Sequence, residues 1–232
     1  MPSELYPADG FDGTGDGPVG ATVRRNLRTL LGVFLLVSAV VTAAASGINL
    51  TDVVPWSVVP PRLSPTPLTD FRLALEVGTL SGVFAAGLTL VGLLGRDARV
   101  SLSRSRRHAV VAAFAFTVGV AAGVILLPAV AEAVSRIAAT SAAGLDVYWY
   151  TEVWLFFPVA LGVAAATPFL LVAAVRAGVV GRFTSTRERG YAALAFVVFA
   201  ACYSPADSAT FVLLAAPLFV GLAAGIAWLE FR

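Results

Sequence analysis

Four small groups of residues carry nearly all the chemistry this chain could perform: Arg24-Arg25, Arg72 with Glu76, Arg106-Arg107 and Asp207. Adjacent guanidinium groups bind anions through forked hydrogen bonds. Arg72 and Glu76, four apart, would share one face of a helix and pair there. Bond-making chemistry finds no support. His108 and Cys202 are the single histidine and cysteine, too few for a zinc site or a nucleophilic triad. No phosphate-binding Gly-x4-Gly-Lys-Ser/Thr loop occurs. The expectation is a protein with no catalytic role, cofactor or metal. Cys202 lies in an apolar run and reads as a small buried hydrophobe, and His108 ends a basic loop at an interface.

The elements that must carry these residues are apolar. Mean hydropathy is +0.86 with 13% charged residues, outside the range of an ordinary soluble domain. Six runs stand out: Leu27–Ser46, Phe71–Leu94, Ala109–Val134, Val153–Val175, Tyr191–Tyr203 and Ala209–Trp228. A helix needs about 20 apolar residues to cross a bilayer, and backbone in lipid must pair within its own segment. The fold class expected is therefore all-α, a polytopic membrane protein of six transmembrane helices.

Sidedness follows from arginine. The chain has no lysine, and thirteen of its 16 basic residues fall at alternate ends of the runs. They are Arg24, Arg25 and Arg28; Arg96, Arg99, Arg104, Arg106 and Arg107; Arg176, Arg182, Arg187 and Arg189; and Arg232. Arg62, Arg72 and Arg136 lie on the other side. The positive-inside bias then puts both termini in the cytoplasm of a multi-pass cell-membrane protein. Residues 1–20, glycine-rich with Glu4, Asp9, Asp12 and Asp16, read as a disordered cytoplasmic tail. Residues 21–232 form the membrane domain. Val23 to Arg28 and the following run to Ser46 imitate a paired-arginine export signal. The stretch is read as a retained first helix, because any helix starting on the basic side has this composition.

Along the chain, the five prolines of 47–69 favour an extended outer cap. Arg72 and Glu76 stand near the outer interface, either as a functional pair or as an anchor with Arg72 snorkelling outward. The loop 95–108 holds five arginines and one carboxylate, Asp97. Tyr148, Trp149 and Tyr150 suggest an aromatic belt at headgroup depth. Pro168 should kink the fourth helix. The 13 residues of Tyr191–Tyr203 cover about 20 Å, less than the about 30 Å of a hydrocarbon core. Ser204-Pro205-Ala206-Asp207 then turns the chain, and Pro217 interrupts the return. Asp207 could cap the following helix.

In order and spacing, residues from about Val19 to Arg232 resemble the TatC family, the multispan component of twin-arginine translocases. Arg187-Glu188-Arg189-Gly190-Tyr191 opens helix five, Ser204-Pro205-Ala206-Asp207 is similar to the family's Pro-Pro-Asp turn, and Leu213-Leu214-Ala215-Ala216-Pro217 to its Leu-Leu-Ala-x-Pro run. Ser105-Arg106-Arg107 stands where the family has an acidic residue and two basic ones, and Thr22-Val23-Arg24-Arg25-Asn26-Leu27 looks like its Glu-Leu-Arg-x-Arg-Leu. Ala166-Thr167-Pro168 looks like its Glu-x-Pro, and Gly119 with Pro128 suits helix three.

The resemblance implies a concave bundle with short helices five and six, and a part in Sec-independent export of folded proteins. Implied partners are membrane lipid, single-span translocase subunits bound along the hairpin of Pro205, Asp207 and Pro217, twin-arginine signal peptides, and another TatC-like protein; nucleic acid is not among them. The departures bear on recognition. Thr22 and Ser105 replace carboxylates that would accept hydrogen bonds from signal arginines, a loss of about 1.5–3 kcal/mol for each charged hydrogen bond. Ala166 replaces an intramembrane glutamate, and Phe84-Ala85-Ala86-Gly87 replaces a proline-and-aromatic pattern in helix two. A scaffold with weakened or altered signal binding is expected, through Thr22, Arg24, Arg25, Asp97, Ser105, Arg106 and Arg107. A structural or regulatory membrane protein and a small-solute transporter remain alternatives.

Overall fold

Helix-favouring apolar runs fold as helices in lipid because no other donor or acceptor is available to their backbone. A computed structural model describes residues 18–48, 67–96, 102–138, 147–180, 186–204 and 208–231. All regular structure among the described residues is helical: α1 Pro18–Ala45, α2 Pro67–Leu94, α3 Leu102–Ala138, α4 Val147–Ala177, α5 Thr186–Cys202 and α6 Ser208–Glu230. The chain is a polytopic, all-α membrane protein. Five helices (α1 to α4 and α6) are long and apolar enough to cross a bilayer, and α5 is the sixth.

The shortfall expected of both terminal helices belongs to α5. Its 17 residues reach about 25 Å, and they begin with a polar turn that includes Glu188. Helix α6 has 23 residues, about 34 Å, and is full length.

Water drives no apolar association inside a bilayer, so helices join where small residues let backbones approach. Three Gly-x-x-x-Gly pairs make these seams. Gly78 and Gly82 of α2 lie on α1, where a Cβ on Gly78 would come 2.7 Å from the Ser38 carbonyl oxygen. Gly119 and Gly123 of α3 lie on α4, and a Cβ on Gly119 would come 2.6 Å from the Leu161 carbonyl oxygen. Gly221 and Gly225 of α6 lie on an adjoining stretch of α4, a Cβ on Gly221 coming 2.9 Å from Ala164 Cα. Helix α4 is thus clasped by α3 and α6, and more than half of its span is enclosed, against a third or less of any other.

Prolines tune these contacts. Helix α4 continues through Pro158 and Pro168, where a kink was expected at the second. Pro168 has no N–H to offer the Ala164 carbonyl, and Gly221 abuts that carbonyl. Past its end, α4 closes on Gly178 at φ 74°, with Val179 N–H donating to the Ala174 carbonyl at 3.0 Å and Gly178 N–H to that of Val175 at 3.1 Å. This arrangement needs a left-handed residue, which glycine supplies without strain. A bend lies in α1 at Asn26 (φ −111°, ψ 19°), whose side-chain amide donates to the Thr22 carbonyl at 3.0 Å.

Trp149 and Tyr150 are buried against neighbouring helices; Trp149 Nε1–H donates to Thr210 Oγ1 at 2.8 Å and packs edge-on to Tyr150. A buried indole needs such an acceptor, and α6 provides it. One further expectation is corrected: Cys202, read as a buried hydrophobe, is exposed on the bundle surface, since α5 is packed mainly through Phe196, Phe199 and Ala200. The expected tail falls outside the described residues up to 17, and Pro18 to Gly20 open α1. Most of the proline-rich cap, with Tyr148 as a side chain, also lies outside them.

Candidate functional site

The polar residues that matter most gather where α2, α4 and the end of α5 meet. Arg72 and Glu76 pair along α2 as their spacing requires, Nε to Oε1 at 3.2 Å. Arg72 also reaches across to α4, its Nη2 lying 3.7 Å from Glu152 Oε1. Glu152 is fully buried, and Thr151 beside it likewise, whereas the Arg72 side chain is 55% exposed. One guanidinium therefore stands between two carboxylates on different helices. Both Arg72 and Glu152 are the sixth residue of their helix, so α2 and α4 place them at a common depth.

Apolar contacts fix this placement. Leu73 and Ala74 of α2 are buried with Ala45 of α1, and Val77 and Leu155 pack against them. One layer deeper, Tyr203 stacks on Phe156 with ring centres 4.8 Å apart. Its hydroxyl shares a hydrogen bond with Thr79 Oγ1 at 3.2 Å. The site is an ion-paired layer around a buried carboxylate, near the end of the bundle where α2 and α4 begin. A charge at such depth is retained only when paired or hydrogen-bonded. The layer can hold helices at a set angle or receive a charged group.

At the basic ends the site is a surface. Arg24, Arg25, Arg106 and Arg107 are all exposed, Thr22 is half-buried and Ser105 is buried. Burial turns Ser105 inward while its two arginine neighbours face out. Arg189 of α5 bonds Glu230 at the end of α6, Nη2 to Oε1 at 2.7 Å, and so ties the two helices at that end.

Of the residues singled out from sequence, the structure joins Arg72 to Glu76. Pro168 lies on the α4–α6 seam, and Pro217 is partly buried within α6. Asp97, Pro205 and Asp207 fall outside the described residues. Sequence reasoning missed Glu152, which sits one residue before the apolar run that begins at Val153. Its signal was available: a carboxylate between aromatic residues, Trp149-Tyr150 before it and Trp154 after it.

The model of one protein family, described as Sec-independent protein translocase protein (TatC), matches residues 21–217. No curated protein and no solved structure matches the chain.

Proposed function

Because the chain belongs to the TatC family, whose members are non-catalytic components of Sec-independent, twin-arginine protein translocation, we propose that it is the multispan subunit of such a machine with a changed signal-binding surface. Family membership over residues 21–217 carries this reading, and the six-helix membrane fold supports it. Its cytoplasmic face is the arginine-rich one, so both termini lie inside. There Arg24, Arg25, Arg106 and Arg107 are exposed, while the neighbouring acceptors are the hydroxyls of Thr22 and Ser105.

A hydroxyl accepts a hydrogen bond but brings no charge, so a guanidinium of a signal peptide gains less from it than from a carboxylate. The protein thus binds twin-arginine signals weakly alone and works beside a better-equipped member of the same family. Single-span subunits would dock along α5 and α6 near Pro205, Asp207 and Pro217. The full-length α6 and short α5 support an asymmetric groove for such helices. Lipid is the remaining partner.

The test is site-specific crosslinking of a twin-arginine signal peptide to this chain in membranes, with and without a second family member. Export of a twin-arginine reporter in a strain lacking its own TatC protein is scored in parallel. Crosslinks at residues 22–25 or 105–107 that strengthen with the companion protein support the reading. Absence of crosslinks and of export in both settings rejects it.

A further inference from the structure

The bundle consists of two tightly packed blocks with a narrow joint. Gly78 and Gly82 bring α2 onto α1 at backbone distance, and Gly119, Gly123, Gly221 and Gly225 do the same for α3, α4 and α6. Such seams resist sliding because backbone atoms, not flexible side chains, are in contact. Between the blocks, α2 meets α4 over a short patch of Leu73, Ala74, Val77 and Leu155. Beside it are the Arg72–Glu152 ion pair and the Thr79–Tyr203 hydrogen bond. The chain between α2 and α3 also joins the two blocks covalently.

Apolar contact alone holds such a joint weakly, since lipid tails would cover those side chains as well as protein does. A buried carboxylate is different. Away from Arg72, Glu152 would lose a compensating charge where water is scarce. The geometry points to Arg72 and Glu152 as positioning residues whose ion pair sets the angle of the α1–α2 block against α4. Arg72 is held in register for this by Glu76, one helical turn away on the same face. Releasing the pair lets α1–α2 swing away from α4 and opens the bundle sideways to lipid between α2 and α4. This goes beyond membership in the export machinery and does not require that export be active.

Double electron–electron resonance on the full chain in lipid nanodiscs tests it, in a Cys202→Ser background. Spin labels at exposed Leu36 of α1 and Ile125 of α3 span the joint, and labels at Ile125 and Val220 of α6 lie within one block. Glu152→Gln is expected to raise the population of long Leu36–Ile125 distances about threefold or more. The Ile125–Val220 distribution should stay unchanged. Arg72→Gln should match it, the double variant should move no further than either single, and Arg72→Lys should keep the native distribution. If Glu152→Gln does not fold, Arg72→Gln reads the same pair from its half-exposed side. An unchanged Leu36–Ile125 distribution, equal broadening of the Ile125–Val220 control, or additive singles would overturn the proposal.

Discussion

The Tyr203 hydroxyl meets Thr79 seven residues deeper along α2 than Arg72, about 10 Å further into the membrane. The end of α5 therefore stops well below the level of the Arg72–Glu152 pair, and a hydrogen bond to α2 fixes it there. A helix of 17 residues cannot reach both surfaces of an ordinary bilayer. Its end is instead accommodated by protein: Phe156 and Phe199 stack on the Tyr203 ring, with centres 4.8 and 5.0 Å away.

Tyr203→Phe removes that hydrogen bond and keeps both ring contacts. Stability should fall by about 0.5–1.5 kcal/mol, read as a shift in the denaturing-detergent unfolding curve. Thr79→Val should produce the same shift, and the two together no more. A loss that simply adds would show that the two hydroxyls act separately.

The glycine seams predict a sharp contrast between positions. Gly119→Leu and Gly221→Leu drive side chains into backbone atoms of α4 and should cost about 1–3 kcal/mol or more. Gly32 and Gly87 have open space where a Cβ would stand, so Gly32→Leu and Gly87→Leu should leave the unfolding midpoint nearly unchanged. Thermal unfolding followed by size-exclusion chromatography in detergent distinguishes the two groups.

Trp149 and Thr210 tie α4 to α6 through a buried hydrogen bond. Thr210→Val leaves the indole N–H without this acceptor at nearly constant volume, at a cost of about 1–3 kcal/mol. Trp149→Phe should cost a similar amount through lost bond and volume. A double-mutant cycle on the unfolding midpoint should return a coupling of about 0.5 kcal/mol or more.

Restoring charge should restore recognition. Thr22→Glu and Ser105→Glu each give a signal arginine a carboxylate, and each should tighten twin-arginine peptide binding by about tenfold or more. The gain should shrink as salt is raised. Because Ser105 is buried and Thr22 half-exposed, Thr22→Glu should be the better tolerated. Fluorescence anisotropy of a labelled peptide with the purified protein checks both, with a two-lysine peptide as control.

The site was unevenly legible in the sequence. Arg72 and Glu76 were recognisable as partners because their spacing is a helical repeat, and the structure pairs them. Pro168 was singled out for a kink; its consequence is a close α4–α6 contact, because Gly221 fits against the carbonyl it frees. Trp149 and Tyr150 carry the composition of an interfacial belt; that the indole also packs inward and donates to Thr210 of α6 was not legible. Cys202 has the type of a buried residue and lies on the outside, since helix rotation about its axis is set by neighbouring helices.

What the residues determined without help is local: six apolar runs, their arginine-bearing ends, and the short fifth helix, since hydropathy and length act within a single segment. The assembly decided which faces touch, placing Glu152 beside an arginine eighty positions earlier and seating three glycine pairs on their partner helices. In lipid every helix has apolar faces all round, so hydropathy does not choose among them. That choice falls to close backbone approach and the pairing of buried charge, both properties of helices already side by side.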